Sequence, residues 1–193
     1  MSRVKTATKQ DAILEAASRV FAAREFHRVL IDEVAAEAGI GKGTIYRYFQ
    51  TKEDLYFSAI LRGLDRLHEI LAIALPQEPS PVRRLERIAR ETLSFFWNQR
   101  SLLMLLYREE RRMAARREEF RTRRDRLLKM VQEALLQGIG RRQFRGVDAR
   151  IGAEMFLGMI RGVNLFRRED DKLDTLVSEV MAVFTHGIMR RGT

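Results

Sequence analysis

Apolar residues recur along this chain every three or four positions, and no stretch shows the strict alternation of a half-buried strand. Between Lys9 and Ala23, Ile13, Ala17, Val20 and Phe21 fall on one helical face, and Thr8 followed by Asp11 resembles a capping box at its start. The spacing predicts a short helix over roughly 31–38, with Val34, Ala35 and Ala38 inward, and a second over roughly 42–49, with Gly39-Ile40-Gly41 as the turn between them. Thr51 and Asp54 open a long helix in which Phe57, Ile60, Leu64, Leu67 and Leu71 keep near-heptad spacing. The proline-rich stretch 76–81 ends it. Helices follow at roughly 82–98, 101–137 (broken once), 148–168 and 173–190, with a loop at "GIGRRQFRG". The expected fold is all-α, with about nine helices.

The turn at 38–44 carries candidate chemistry. A glycine-rich loop running into Lys42 and Thr44 invites comparison with the phosphate loop G-x-x-x-x-G-K-[ST]. With Gly41-Lys42 aligned on its G-K, the first glycine becomes Ala36 and the hydroxyl position becomes Gly43. The segment before it is helical rather than strand-like, so the nucleotide-loop reading fails at three points. Two short helices joined by a glycine turn instead make a helix-turn-helix, whose second helix enters the major groove of DNA. Ile45 and Phe49 face inward with Ile40, which leaves Gly43, Thr44, Tyr46, Arg47 and Tyr48 outside. Lys42 and Lys52 suit phosphate, as do the hydroxyls of Thr44 and Tyr48, and Gly43 permits close approach.

Composition narrows the classes. The chain has 193 residues, of which 46% are hydrophobic and 32% charged, as expected of a soluble globular protein. It has no cysteine, which removes disulfides, thiolate catalysis and cysteine metal sites. His27, His68 and His186 are too dispersed for a metal site. No signal peptide or membrane span is apparent, and the cytoplasm is the expected location. Neither a catalytic constellation nor a cofactor motif is visible, so no enzyme activity, cofactor or metal is expected. The net charge of +10 suggests a polyanionic partner, yet residues 1–58 carry only +1 of it. Placement rather than bulk charge must bring the N-terminal part to DNA.

The segment "VAAEAGIGKGTIYRYFQTKEDL", with the amphipathic helix before it, resembles the DNA-binding domain of the tetracycline-repressor (TetR) family of bacterial regulators. The Y-x-Y-F-x-x-K-x-x-L tail makes the likeness specific, because a generic helix-turn-helix does not require it. The resemblance implies a homodimer on a palindromic operator of double-stranded DNA, and a small-molecule effector. It carries DNA contacts onto Gly41, Lys42, Gly43, Thr44, Tyr46, Arg47, Tyr48 and Lys52. Where the family usually has glycine after the first helix this chain has Glu25, and Val29 and Leu30 stand where a Ser/Thr usually caps the second helix. The expected division is a helix-turn-helix domain at 7–57 and a helical effector-binding and dimerisation domain at 58–193. The expected function is a repressor released by a small apolar or aromatic effector. The competing reading is an effector-independent architectural or nucleoid protein on the same fold.

The second part is less specific. "SFFWNQRSLLMLLYREE" is dense in aromatics and methionine, and with the helix after 148 it suggests an effector pocket lined by Phe95, Phe96, Trp97, Met104, Tyr107, Met155 and Met159. Apolar stripes on the last two helices suggest a dimer seam at Met155, Met159, Val163, Val177, Val180, Met181, Phe184 and Ile188, where Gly158 and Gly162 allow close approach. The run "REERRMAARREEFRTRRDR" reads as a solvated face with pairs such as Glu119/Arg123.

Overall fold

The computed structural model describes residues 2–109 and 117–188, with side chains from residue 9 onward except at 101, 106–109 and 117. Among the described residues there are nine α-helices and no strand: α1 Ser2–Ala23, α2 Ile31–Glu37, α3 Lys42–Tyr48, α4 Lys52–Ala74, α5 Pro81–Asn98, α6 Arg100–Glu109, α7 Arg117–Gly140, α8 Ala149–Phe166 and α9 Leu173–Ile188. Short 3-10 turns lie at Phe26–Arg28 and Leu75–Gln77. The chain divides into two compact units, one of residues 1–65 with 99–120 and the other of 66–98 with 121–193. Helix α4 contributes to both.

In the first unit, Ile13, Ala17 and Phe21 of α1 are buried with Val34 of α2, Ile45 of α3, Leu55 and Ile60 of α4, and Leu102 and Leu105 of α6. Phe21, Phe26 and Tyr56 pack as an aromatic trio, with Tyr56 edge-on to Phe21 at 4.9 Å and to Phe26 at 5.0 Å. The start of α1 differs from the sequence expectation. The helix begins at Ser2, so Thr8 lies inside it and the Thr8–Asp11 pair caps no terminus. Asp11 instead takes a forked contact from Arg62 of α4, at 2.7 Å from Nε and 3.3 Å from Nη2. The long helix opens as expected, with the Asp54 amide donating to the Thr51 hydroxyl at 3.0 Å.

In the second unit α5 packs on α8 and α9. Leu85, Ile88 and Leu93 of α5 are buried with Val131 and Leu135 of α7, Phe156 and Ile160 of α8, and Val177, Val180 and Phe184 of α9. Phe156 and Phe184 meet at 4.8 Å between ring centres. The α7–α8 loop folds back so that Phe144 is buried over Gly138, where an added Cβ would stand 2.1 Å from the ring. The Arg145 amide then donates to the Ile188 carbonyl at 2.8 Å, tying the loop to the end of α9. Residues 110–116, between α6 and α7, are outside the described residues, so the predicted break in the 101–137 segment and much of the arginine-rich run lie outside them too.

Because the Phe144 ring is enclosed, Gly138→Ala forces a shift of the ring or of α7, and it should cost about 1–3 kcal/mol of stability. Chemical denaturation at a fixed protein concentration reads this directly. An unchanged midpoint and slope would show that the loop yields freely.

Candidate nucleic-acid interface

The helix-turn-helix is set by one backbone cap. At the end of α2, Gly39 takes φ +65°, the left-handed conformation that glycine adopts without a Cβ penalty. The Ile40 amide returns to the Ala35 carbonyl at 3.0 Å, and the Gly39 amide to the Ala36 carbonyl at 3.1 Å. These two bonds form a Schellman motif, which closes α2 and reverses the chain within three residues. Gly41 then takes an extended conformation as the N-cap of α3, and its carbonyl accepts the Thr44 amide at 2.8 Å. Ile45 and Phe49 anchor α3 in the core, being 1% and 3% exposed, with Ile40 half-buried beside the turn.

The opposite face is outward. Gly41, Lys42, Gly43, Tyr46 and Arg47 are exposed, while Thr44 and Tyr48 are half-buried. Tyr46 retains 47% exposure, and the Arg47 guanidinium lies 5.4 Å from the centre of the Tyr48 ring. A Cβ at Gly41 or Gly43 would meet nothing within 4 Å. The packing of the chain therefore does not require glycine at Gly43, although glycine inside a helix costs about 1 kcal/mol relative to alanine. Close approach of a partner supplies a reason that the fold does not.

The two lysines differ in setting. Lys42 Nζ donates to Asp32 Oδ2 at 2.8 Å, bridging α3 to α2 across the turn. The Asp32 carboxylate, by this hydrogen bond and its charge, raises the Lys42 ammonium above the usual lysine range, so Lys42 is charged at any physiological pH. Both groups are exposed, so the pair is screened and a phosphate competes readily for the ammonium. Lys52 is half-buried and turned inward. Its ammonium donates to the Val29 carbonyl at 2.7 Å and to the His27 carbonyl at 3.3 Å, and stands 4.6 Å from the centre of the Phe26 ring. It thereby pins the α1–α2 connection to the start of α4, a role that spacing alone does not reveal.

The departures from the family pattern have local explanations. Glu25 is extended at φ −68°, ψ 141°, so α1 ends by a break into the 3-10 turn and needs no left-handed glycine there. Leu30 has no side-chain acceptor for the α2 amides. The Glu33 carboxylate supplies the other half of a cap by accepting the Leu30 amide at 2.9 Å, and Arg24 pairs with Glu33. Leu30 itself is 61% exposed.

The remaining predicted residues fall in several places. Phe95 and Phe96 are each 8% exposed in the second unit, and Trp97 is half-buried under Arg167, whose Cζ lies 3.9 Å from the ring centre. Met155 is 61% exposed and Met159 half-buried on α8. Met104 belongs to the first unit, and the side chain of Tyr107 lies outside the described residues. Of the expected dimer seam, Val177, Val180, Met181, Phe184 and Ile188 are buried in the core of the second unit, and Val163 is half-buried. An apolar stripe marks a buried face without saying what buries it, and here it is α5 and α8. Among the described residues no group of three or more His, Cys, Asp or Glu is placed to hold a metal, and no helix is long and apolar enough to cross a membrane.

Exchanging the lysines separates their roles. Lys42→Ala should leave the melting temperature within a few degrees of wild type and reduce the slope of log affinity against log salt by about one. Lys52→Ala should lower the melting temperature as well as DNA affinity, because two loop carbonyls lose their donor. A Lys52→Ala protein as heat-stable as wild type would remove the positioning role.

Comparison with known proteins agrees with this geometry. Residues 13–59 match the model of the bacterial regulatory proteins of the tetR family, and residues 78–170 match a tetracyclin repressor-like C-terminal domain. A fatty acid metabolism regulator protein of Bacillus subtilis is 25% identical over 184 residues, covering 91% of this chain and 93% of the relative. The repressor BepR of Brucella suis is 33% identical over 96 residues, 49% of this chain and 46% of the relative. Among solved structures, the transcriptional regulator FadR of Bacillus subtilis in complex with stearoyl-CoA superposes with a TM-score of 0.81 at 22% identity, over 92% of this chain and 98% of that one. AibR in complex with isovaleryl coenzyme A and operator DNA superposes with a TM-score of 0.77 at 23% identity, over 91% and 97%. The helix-turn-helix with its outward α3 and both matched domains place this chain in the TetR family of DNA-binding transcriptional regulators.

Proposed function

We propose that the protein is a repressor that leaves a palindromic operator when it binds an acyl-coenzyme A thioester. The observation that carries the reading is an outward α3 with a polar, glycine-opened surface, on a chain similar along nearly its whole length to a fatty acid metabolism regulator. The structural neighbours with stearoyl-CoA and with isovaleryl coenzyme A and operator DNA support the ligand class. The early expectation of a small apolar or aromatic effector narrows to an acyl chain with a polar head.

In this reading Gly41 and Gly43 let the backbone of α3 approach the duplex. Lys42, Thr44 and Tyr48 hold phosphates, and Tyr46 and Arg47 approach base edges. Lys52 acts first by positioning the α1–α2 connection. The helix-turn-helix domain at 7–57 reads DNA, the part at 58–193 takes the effector and the second subunit, and the protein works in the cytoplasm. No catalytic step, metal or cofactor is assigned.

The protein works as a homodimer, and the seam runs along the outward side of α8. There Ile151, Met155 and Phe166 are 47%, 61% and 78% exposed, and a Cβ at Gly158 or Gly162 would meet nothing within 4 Å. Val183, 63% exposed, extends the patch onto α9. Binding of such a dimer to an operator whose half-sites lie about one DNA turn apart calls for two α3 helices roughly 34–36 Å apart.

Met155→Asp tests the seam without touching the core. It should yield folded monomers and weaken operator binding by about a hundredfold, through loss of the second half-site. A Met155→Asp protein that sediments as a dimer places the seam elsewhere. Phe184→Asp, by contrast, should unfold the second unit, because Phe184 is 5% exposed within it. For the function itself, an operator recovered by selection from a randomised DNA pool should be bound and then released by isovaleryl, octanoyl or stearoyl coenzyme A. Retention of the DNA under all three thioesters contradicts the effector assignment.

A further inference from the structure

The interior of the second unit is apolar except at a few positions, and two of these are helical residues without a hydrogen-bonding partner in the protein. Asn164 of α8 and Thr92 of α5 are each 3% exposed. Neither Oδ1 nor Nδ2 of Asn164 has a partner, and neither does Oγ1 of Thr92. Side chains of these types on helices commonly bond to the carbonyl one turn earlier. Thr185 does so to Met181 at 2.6 Å, and Asn98 to Ser94 at 3.1 Å. Thr92 and Asn164 forgo that option, and buried polar atoms that stay unsatisfied are strongly disfavoured. Leucine and valine would fit the same volumes without that cost, so the bonds these polar atoms make are to a water or to a ligand.

The two residues lie near the same end of a helix pair. The C-terminal ends of α5 and α8 meet, because Arg167 lies over the Trp97 ring and its Nη2 donates to the Trp97 carbonyl at 3.3 Å. Thr92 is five residues before Trp97 and Asn164 three before Arg167, about 7.5 Å and 4.5 Å back along helices that pack together. The carboxamide offers two N–H donors and one acceptor, and the hydroxyl offers a further donor. A neutral carbonyl uses the donors, and an N–H a few bonds away uses Asn164 Oδ1. A coenzyme A thioester carries both, its carbonyl on one side of the sulfur and an amide N–H two carbons beyond it. Aspartate, glutamate, lysine and arginine are all missing from the described buried residues of this unit. The buried titratable side chain among the described residues of the unit, His68, belongs to α4 and not to the α5–α8 pair, so a free carboxylate between α5 and α8 would lose its hydration with no buried counter-charge on either helix. Arg167, half-buried where α5 and α8 end, is already laid on Trp97.

We infer that Asn164 and Thr92 form the head-group subsite of the effector, which takes the uncharged thioester carbonyl of an acyl-coenzyme A and discriminates against the free fatty acid. This inference rests on the acyl-thioester reading given above.

The test is calorimetric titration of the full-length dimer with isovaleryl, octanoyl and stearoyl coenzyme A, followed by two analogues of the tightest binder. One is its S-alkyl thioether, which lacks the carbonyl, and the other is the free acid. Wild type should bind the thioester about tenfold or more tighter than either analogue, as two hydrogen bonds of ordinary strength imply. Asn164→Leu should lose most of the preference for thioester over thioether, should bind both more weakly because the amide N–H common to the two ligands loses Oδ1, and should melt higher than wild type without ligand because the unpaired amide is gone. Thr92→Val, nearly isosteric, should lose part of the discrimination and serves if Asn164→Leu does not fold. If wild type binds a thioester but both variants keep the tenfold preference, the subsite is wrong and the effector class stands. If wild type prefers the free acid, the carbonyl assignment is wrong. If it binds none of the three thioesters, the effector reading and this inference fall together.

Discussion

Every partner-facing residue of the N-terminal unit depends on one left-handed turn. Gly39 at φ +65° lets the Ile40 and Gly39 amides close the end of α2, and the chain re-enters a helix two residues later. A side chain at that position would be strained against its own carbonyl, and the angle between α2 and α3 would change. That angle decides which way α3 points once Ile45 and Phe49 are anchored. The outward position of Lys42, Tyr46 and Arg47 thus follows from a backbone cap and two buried side chains.

Electrostatics refine this frame. The first 58 residues are nearly neutral, and several of their charges are paired, within the segment or with α4. Arg62 forks onto Asp11, Arg19 meets Glu37 at 2.7 Å, and Lys42 meets Asp32. These pairs are exposed or half-exposed, so each adds little to stability, but together they fix the helices that carry the interface. Lys42 with Asp32 is an exposed, screened pair, weak enough for a phosphate to displace. The bulk of the net charge lies beyond residue 58.

The sequence was legible where function constrains backbone and spacing together. The turn at 39–41, the inward Ile45 and Phe49, and helix limits within a residue or two for most elements were all visible as periodicity and turn chemistry. Less visible was what a charged or apolar face touches. Lys52 reads as a phosphate ligand by position, yet its ammonium holds the carbonyls of His27 and Val29, which are over twenty residues away in sequence. Val177, Val180 and Phe184 read as a seam because a stripe records burial and not the burying partner, whereas the exposed residues at 151, 155 and 166 lie on the other side of α8 from its buried Phe156 and Ile160. Asn164 has no signature in the sequence, since one asparagine in a helix carries no pattern. Only its burial without a partner marks it.

The central claim is that α3 reads bases and that the two subunits read them symmetrically. Selection from a randomised DNA pool, followed by sequencing, tests this most directly when wild type and Arg47→Ala are run side by side. The account predicts that wild type enriches an inverted repeat with half-sites about one helical turn apart. It predicts that Arg47→Ala enriches the same spacing with the preference relaxed at symmetric positions in each half. Enrichment of no repeat, or identical base preferences for both proteins, would contradict it.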